Sequence, residues 1–196
     1  MSRPFVFALV LVLVPVIAPA QTSRATLPLL TVDGQLGDAR HPERSGATYY
    51  RSNNIGLARV AVGVRLGPAA GFRPVAVLDY FSHFGMGDHV SDCRYAPNGT
   101  CKQYFPDVSG FTVGIGVRNT LGKVITVGLI GGIGRYHMGG HHLPNESLTG
   151  FHADAELALR FMKHAGMVLN VRHVETGKFK DARMWYRPIL IGLRLQ

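Results

Sequence analysis

The chain has 196 residues, 46% of them hydrophobic and 17% charged, with 21 lysines and arginines against 12 acids and a formal charge of +9. So basic a balance would suit nucleic acid, but an export leader and arginines scattered along alternating segments argue against that partner. Apart from the leader, no stretch is apolar for long enough to cross a membrane as a helix.

Arg3, the apolar run Pro4–Ile17 and the small-residue site Ala18-Pro19-Ala20 read as a cleaved secretory signal over 1–20. The run falls short of the roughly 18 residues that a spanning helix needs. Loss of Arg3 with the leader lowers the formal charge from +9 to +8. An exported chain without a second hydrophobic helix enters a membrane only as a closed barrel. Its 24 glycines, short alternating segments and scarce helical periodicity predict an all-β fold.

Residues 21–54 form an N-terminal segment in which Leu27–Val32 is a possible first strand and 34–54 a polar loop. Residues 55–196 carry the domain itself. There Val60, Val62, Val64 and Leu66 alternate with Arg59, Ala61, Gly63 and Arg65. A turn at 67–71 leads to a strand from Phe72 to Phe84 bearing Arg73 and Asp79, then to a polar loop over 85–107. Phe111, Val113, Ile115 and Val117 alternate with Thr112, Gly114, Gly116 and Arg118 before a turn at 119–122. The strand over 123–136 ends in a loop over 137–148. Phe151–Phe161 has the clearest pattern: its odd positions are apolar, and its even positions hold His152, Asp154, Glu156 and Arg160. A period of two puts those sets on opposite faces of a strand. After a turn at 163–166, Met167, Leu169 and Val171 alternate with Asn170 and Arg172. A charged loop over 175–183 precedes a last strand with Ile189, Ile191, Leu193 and Leu195 opposite Arg194.

The connections alternate between tight (67–71, 119–122, 163–166) and long (85–107, 137–148, 175–183). That sorting predicts a single antiparallel up-and-down transmembrane β-barrel of about eight strands, with short periplasmic turns and longer outer loops. Aromatic residues near strand ends, Tyr80, Phe84, Phe111, Tyr136, Phe151, Phe161, Trp185 and Tyr186, fit an interfacial girdle. On this pattern the chain resembles the small eight-stranded outer-membrane barrels of the outer-membrane protein A and X type. Its last strand is similar to their C-terminal insertion signal, although it ends in Gln196 instead of an aromatic residue. The resemblance implies a monomer in the bacterial outer membrane, in contact with outer-membrane lipid, lipopolysaccharide and the barrel-insertion machinery.

An eight-stranded barrel is just wide enough for side chains to fill it. The inward set expected is Arg59, Arg65, Arg73, Asp79, Arg118, Asp154, Glu156, Arg160, Arg172 and Arg194, pairing as an ion network because buried charge needs partners. Cys93 and Cys101, in one polar loop of an exported chain, are expected to form a disulfide. His137, His141 and His142 are weak metal candidates on a glycine-containing loop without an accompanying acid. No cofactor and no enzymatic activity are expected. His173-Val-Glu175-Thr176 looks like the histidine–serine pair of outer-membrane lipid A deacylases, but Glu175 stands where the serine belongs. The role expected is structural or interactive: envelope integrity, adhesion or a small-solute leak. The alternatives are a soluble lipocalin-like ligand-binding barrel and an outer-membrane lipid acyl hydrolase.

Overall fold

The computed structural model describes residues 28–40, 43–44, 54–66, 73–84, 89–92, 102–105, 107–140, 143–179 and 182–196. The leader, Cys93, Cys101, His141 and His142 lie outside them, and so do the expectations attached to those residues.

Eight long strands follow one another: β1 (Leu30–Arg40), β2 (Asn54–Arg65), β3 (Arg73–Phe84), β4 (Asp107–Leu121), β5 (Ile125–Gly140), β6 (Leu143–Arg160), β7 (Ala165–Phe179) and β8 (Ile189–Leu195). Each pairs antiparallel with the next, and β8 pairs back onto β1 through Val32↔Leu195 to Asp38↔Ile189. The eight long strands therefore close on themselves into a barrel. Among the described residues there is no helix.

Alternation decides which residues form the wall and how they face. On β6, His152, Asp154, Glu156 and Ala158 are buried while Phe151, Ala153, Ala155, Leu157 and Leu159 are exposed. On β4 the exposed set is Phe111, Val113, Ile115 and Val117, opposite buried Thr112, Gly114 and Arg118. β-Branched residues dominate the outward positions of β2 and β4 and favour extended backbone. The tight turn after β4 depends on Gly122, whose φ of 64° lies in the left-handed region that suits glycine.

Three boundaries and one side-chain orientation differ from the sequence reading. β1 runs on to Arg40 instead of yielding to a loop at 34, because Thr31, Asp33 and Gln35 are polar residues turned inward. The loop expected at 137–148 is mostly the far end of the β5–β6 hairpin, paired as far as Gly140↔Leu143. The charged loop over 175–183 similarly continues β7 and pairs with Ala182–Tyr186, which in turn pairs with Glu43–Arg44. Three of the long connections thus extend the barrel wall as ordered ladder. Finally, Tyr136 leaves the expected girdle: it points inward and is fully buried beside Phe81, ring centroids 5.7 Å apart.

The interior is layered. Toward the long-connection end, Leu57, Phe81, Val108, Tyr136, Met138, Val174 and Leu190 form an apolar plug. Ala61, Val75, Val77 and Ile130 make a smaller cluster nearer the tight turns. Ionised side chains pack with both.

Candidate functional site

The inward charges gather into two clusters. The loop-end cluster joins Arg59 on β2, Asp79 on β3, Asp154 on β6 and Arg172 on β7. Arg172 donates from Nε and Nη2 to the two carboxylate oxygens of Asp154, at 2.7 and 2.8 Å. Its Nη1 and Nη2 reach the two oxygens of Asp79 at 3.0 and 2.6 Å. Arg59 Nη2 lies 2.8 Å from Asp79 Oδ2 and 3.3 Å from Asp154 Oδ2, while its Nη1 donates to Gln35 Oε1 at 3.2 Å. The Arg172 guanidinium also lies 5.8 Å from the Phe81 ring centroid, within cation–π range.

The turn-end cluster joins Asp33 on β1, Arg118 on β4, Glu156 on β6 and Arg194 on β8. Arg118 grips Glu156 with Nε and Nη2 at 2.5 and 3.0 Å and donates from Nη1 to Thr31 Oγ1 at 2.9 Å. Arg194 grips Asp33 with Nε and Nη2, both at 2.7 Å, and Glu156 with Nη1 and Nη2 at 3.2 and 3.0 Å. Asp33 and Arg194 are register partners across the β8–β1 seam, so this cluster ties the wall where it closes.

Each cluster matches two guanidinium groups with two carboxylates, which is the condition for keeping charge in a dry interior. Asp154 and Glu156 lie two residues apart on one face of β6, close to 7 Å along the strand by the usual rise of about 3.3 Å. That spacing lets one strand serve both clusters, Asp154 in one and Glu156 in the other. β5 contributes room. A Cβ on Gly128 would meet Glu156 Cγ at 2.6 Å, and one on Gly132 would meet His152 Cε1 at 2.6 Å.

The remaining sequence candidates lie elsewhere. Arg65 and Arg73 are half-buried on the inward face near the turns, Arg73 opposite Arg118 in register. Arg160, expected in the lumen column, ends β6 at the rim, where its guanidinium donates to the Lys123 carbonyl. The strand stops there and the side chain bends to the neighbouring turn, which corrects that expectation. His137 faces outward and its Nδ1 lies 3.2 Å from Ser147 Oγ. His173 is partly exposed on the outer face and accepts from Arg187 Nε at 3.4 Å.

Thr31, Asp33 and Gln35 belong to the interior but were not singled out as lumen residues by the sequence reading, which placed buried His152 on the charged face of β6 without including it in the network. The available signal was the alternation Thr31-x-Asp33-x-Gln35 against Leu30-x-Val32-x-Gly34-x-Leu36. Ligand atoms of Asp79, His152 and Asp154 lie within 4.8 Å of one another. Both carboxylates there already accept from Arg59 and Arg172, so the group is part of the ion-pair lattice.

No protein-family model and no curated protein matches the sequence. Among solved structures, Neisserial surface protein A aligns with a TM-score of 0.54 at 11% identity, covering 86% of this chain and 97% of that one. Ail, the attachment invasion locus protein of Yersinia pestis, solved with the heparin analogue sucrose octasulfate, aligns at 0.46 and 12%, covering 86% and 100%. The outer membrane enzyme PagL aligns at 0.46 and 12%, covering 85% and 99%. The first of these, together with the closed ladder, establishes the fold: a small, closed, eight-stranded antiparallel β-barrel like that of the Neisserial protein.

Proposed function

Starting from that fold, we propose that the chain is an integral outer-membrane barrel with a structural or interaction role, its lumen sealed by the ion-pair network and its long-connection end held out as an extended wall. The observation that carries the reading is the inverted polarity. Outward residues such as Ile115 and Phe111 are 71% and 64% exposed, whereas Arg172 and Asp154 inside are 2% and 3% exposed. In water that arrangement would expose a belt of aliphatic surface far larger than soluble proteins tolerate. In lipid it is the required one. It is also the reverse of the lipocalin-like alternative, which needs an apolar interior and a solvated exterior.

The height of the belt agrees. At a rise of about 3.3 Å per residue and a tilt of about 40°, Phe151–Phe161 covers roughly 25 Å along the barrel axis, the height of an outer-membrane apolar band. Both ends of that stretch are aromatic and exposed, as interfacial positions favour. The packed interior supports an anchoring or presenting role over a solute leak, since the plug around Phe81, Tyr136 and Met138 lies across the lumen.

Two measurements test the proposal. The expressed protein should fractionate with outer membranes and migrate faster in an unheated gel than in a heated one. Reconstituted in a planar bilayer, it should show no stepwise conductance. Recovery in the soluble periplasm overturns the membrane assignment, and reproducible conductance steps overturn the sealed lumen.

A further inference from the structure

We infer that the outward wall of β3–β6 binds the phosphate group of an outer-leaflet lipid, with Arg135 as its anchor; this rests on the outer-membrane reading above. Strand register lines up three rows on that wall. The lowest is Leu78, Val113, Ile133 and Phe151; the next is Tyr80, Phe111, Arg135 and Thr149; the highest is Ser82, Ser109, His137 and Ser147. Going toward the long connections, the surface passes from aliphatic to aromatic with one guanidinium, then to hydroxyl and imidazole. This is the order of hydrocarbon, interface and headgroup in a leaflet. The Tyr80 and Phe111 rings, 4.7 Å apart, mark the interface level.

Arg135 is exposed and forms no ion pair among the described residues. From Pro74 to Ser82, Ser109 to Asn119, Ile125 to His137 and Asn145 to Leu159, no outward position is acidic. Of the acids in those ranges, Asp79, Asp154 and Glu156 are buried in the lumen, and Glu146 is half-buried on the inward side in register with Met138. On the opposite wall, by contrast, outward Glu175 and Asp38 accompany Arg187 and His173. A guanidinium without an acid neighbour, at the interface level one row below the hydroxyl and imidazole groups, is matched by a phosphate, to which it can donate two parallel bonds. Thr149 beside it and Ser109, His137 and Ser147 diagonally above it offer further polar partners. A lipid fits better than a free anion, because its acyl chains would lie on the aliphatic row directly below.

Native mass spectrometry of the full chain in detergent micelles tests this, with phosphatidic acid, phosphatidylcholine and inorganic phosphate as probes. The intact barrel should retain phosphatidic acid in preference to phosphatidylcholine. Arg135→Gln should weaken that retention about tenfold, the scale of one lost charge-assisted contact. Arg135→Lys should fall between, keeping the charge without the fork. Arg187→Gln should bind as the unaltered protein does. Equal binding by Arg135→Gln, or an equal loss in Arg187→Gln, overturns the site; so does displacement of the lipid by millimolar inorganic phosphate, which would make it a free-anion site. The heat-dependent gel shift reports folding of each variant separately. A chain that never enters the outer membrane sinks the functional reading, whereas a well-inserted barrel indifferent to Arg135 sinks this inference alone.

Discussion

The loop-end and turn-end clusters hold the same charges, two arginines and two acids, yet are wired differently. At the loop end each aspartate contacts both arginines, so Arg59, Asp79, Asp154 and Arg172 form a closed square. At the turn end the contacts run in a line, Arg118 to Glu156 to Arg194 to Asp33. In the square, losing one acid leaves every arginine a carboxylate. In the line, Glu156 is the only described carboxylate that Arg118 touches. Connectivity therefore decides how costly a broken pair is, even when composition and burial are equal.

Glu156→Gln is the sharpest way to break that contrast. It strands the charge of Arg118, 3% exposed, against neutral acceptors, and uncompensated buried charge costs about 3 kcal/mol or more. Asp154→Asn, with Asp79 still bonded to both Arg59 and Arg172, should cost about 1–2 kcal/mol. Reversible urea unfolding in lipid vesicles measures both. Equal losses would show that wiring does not matter; a larger loss for Asp154→Asn would reverse the account.

Space for the line is a second point of attack. An inward methyl at Gly128 would press on Glu156, which its two arginines hold in place, so Gly128→Ala should cost about 1–3 kcal/mol through overpacking. Gly34 lies on the outward face of β1, where an added Cβ would have nothing within 4 Å, and Gly34→Ala should stay within about 0.5 kcal/mol. If the two substitutions cost the same in the vesicle unfolding assay, β5 glycine is not what makes room for Glu156.

Much of this architecture was legible in the sequence, and for a physical reason. Phe151–Phe161 declares its two faces because a strand sorts side chains with a period of two, and here the outward set is apolar while the inward set is polar or charged up to Glu156. The same rule exposed Arg59, Arg118, Arg172 and Arg194 as an inward set. β1 was harder to read: its outward face is diluted by Gly34 and Asp38, so the alternation is weak and Asp33 went unrecognised as a partner for Arg194. Partner choice was also hidden, because Asp79 and Asp154 sit on strands that do not adjoin. Only closure of the barrel brings them to the same two guanidinium groups. The outer hairpins looked like loops since polar residues such as His137, Asn145, Ser147 and Glu175 interrupt the apolar outward pattern of a ladder that nonetheless continues.

Arg160 marks where the inward column stops, and it carries the smallest expected effect. By parity it belongs with Asp154 and Glu156, but β6 ends at this residue and the chain turns at once through Phe161–His164. Its guanidinium reaches the Lys123 carbonyl at an exposed rim, where water can replace the lost donor. Arg160→Gln should therefore change unfolding stability by no more than about 0.5 kcal/mol. In the same assay Glu156→Gln, four residues earlier on the same face, should lose several times as much. A large loss at Arg160 would mean that the buried network extends to the mouth, and that the turn-end cluster is closed on that side as the loop-end square is.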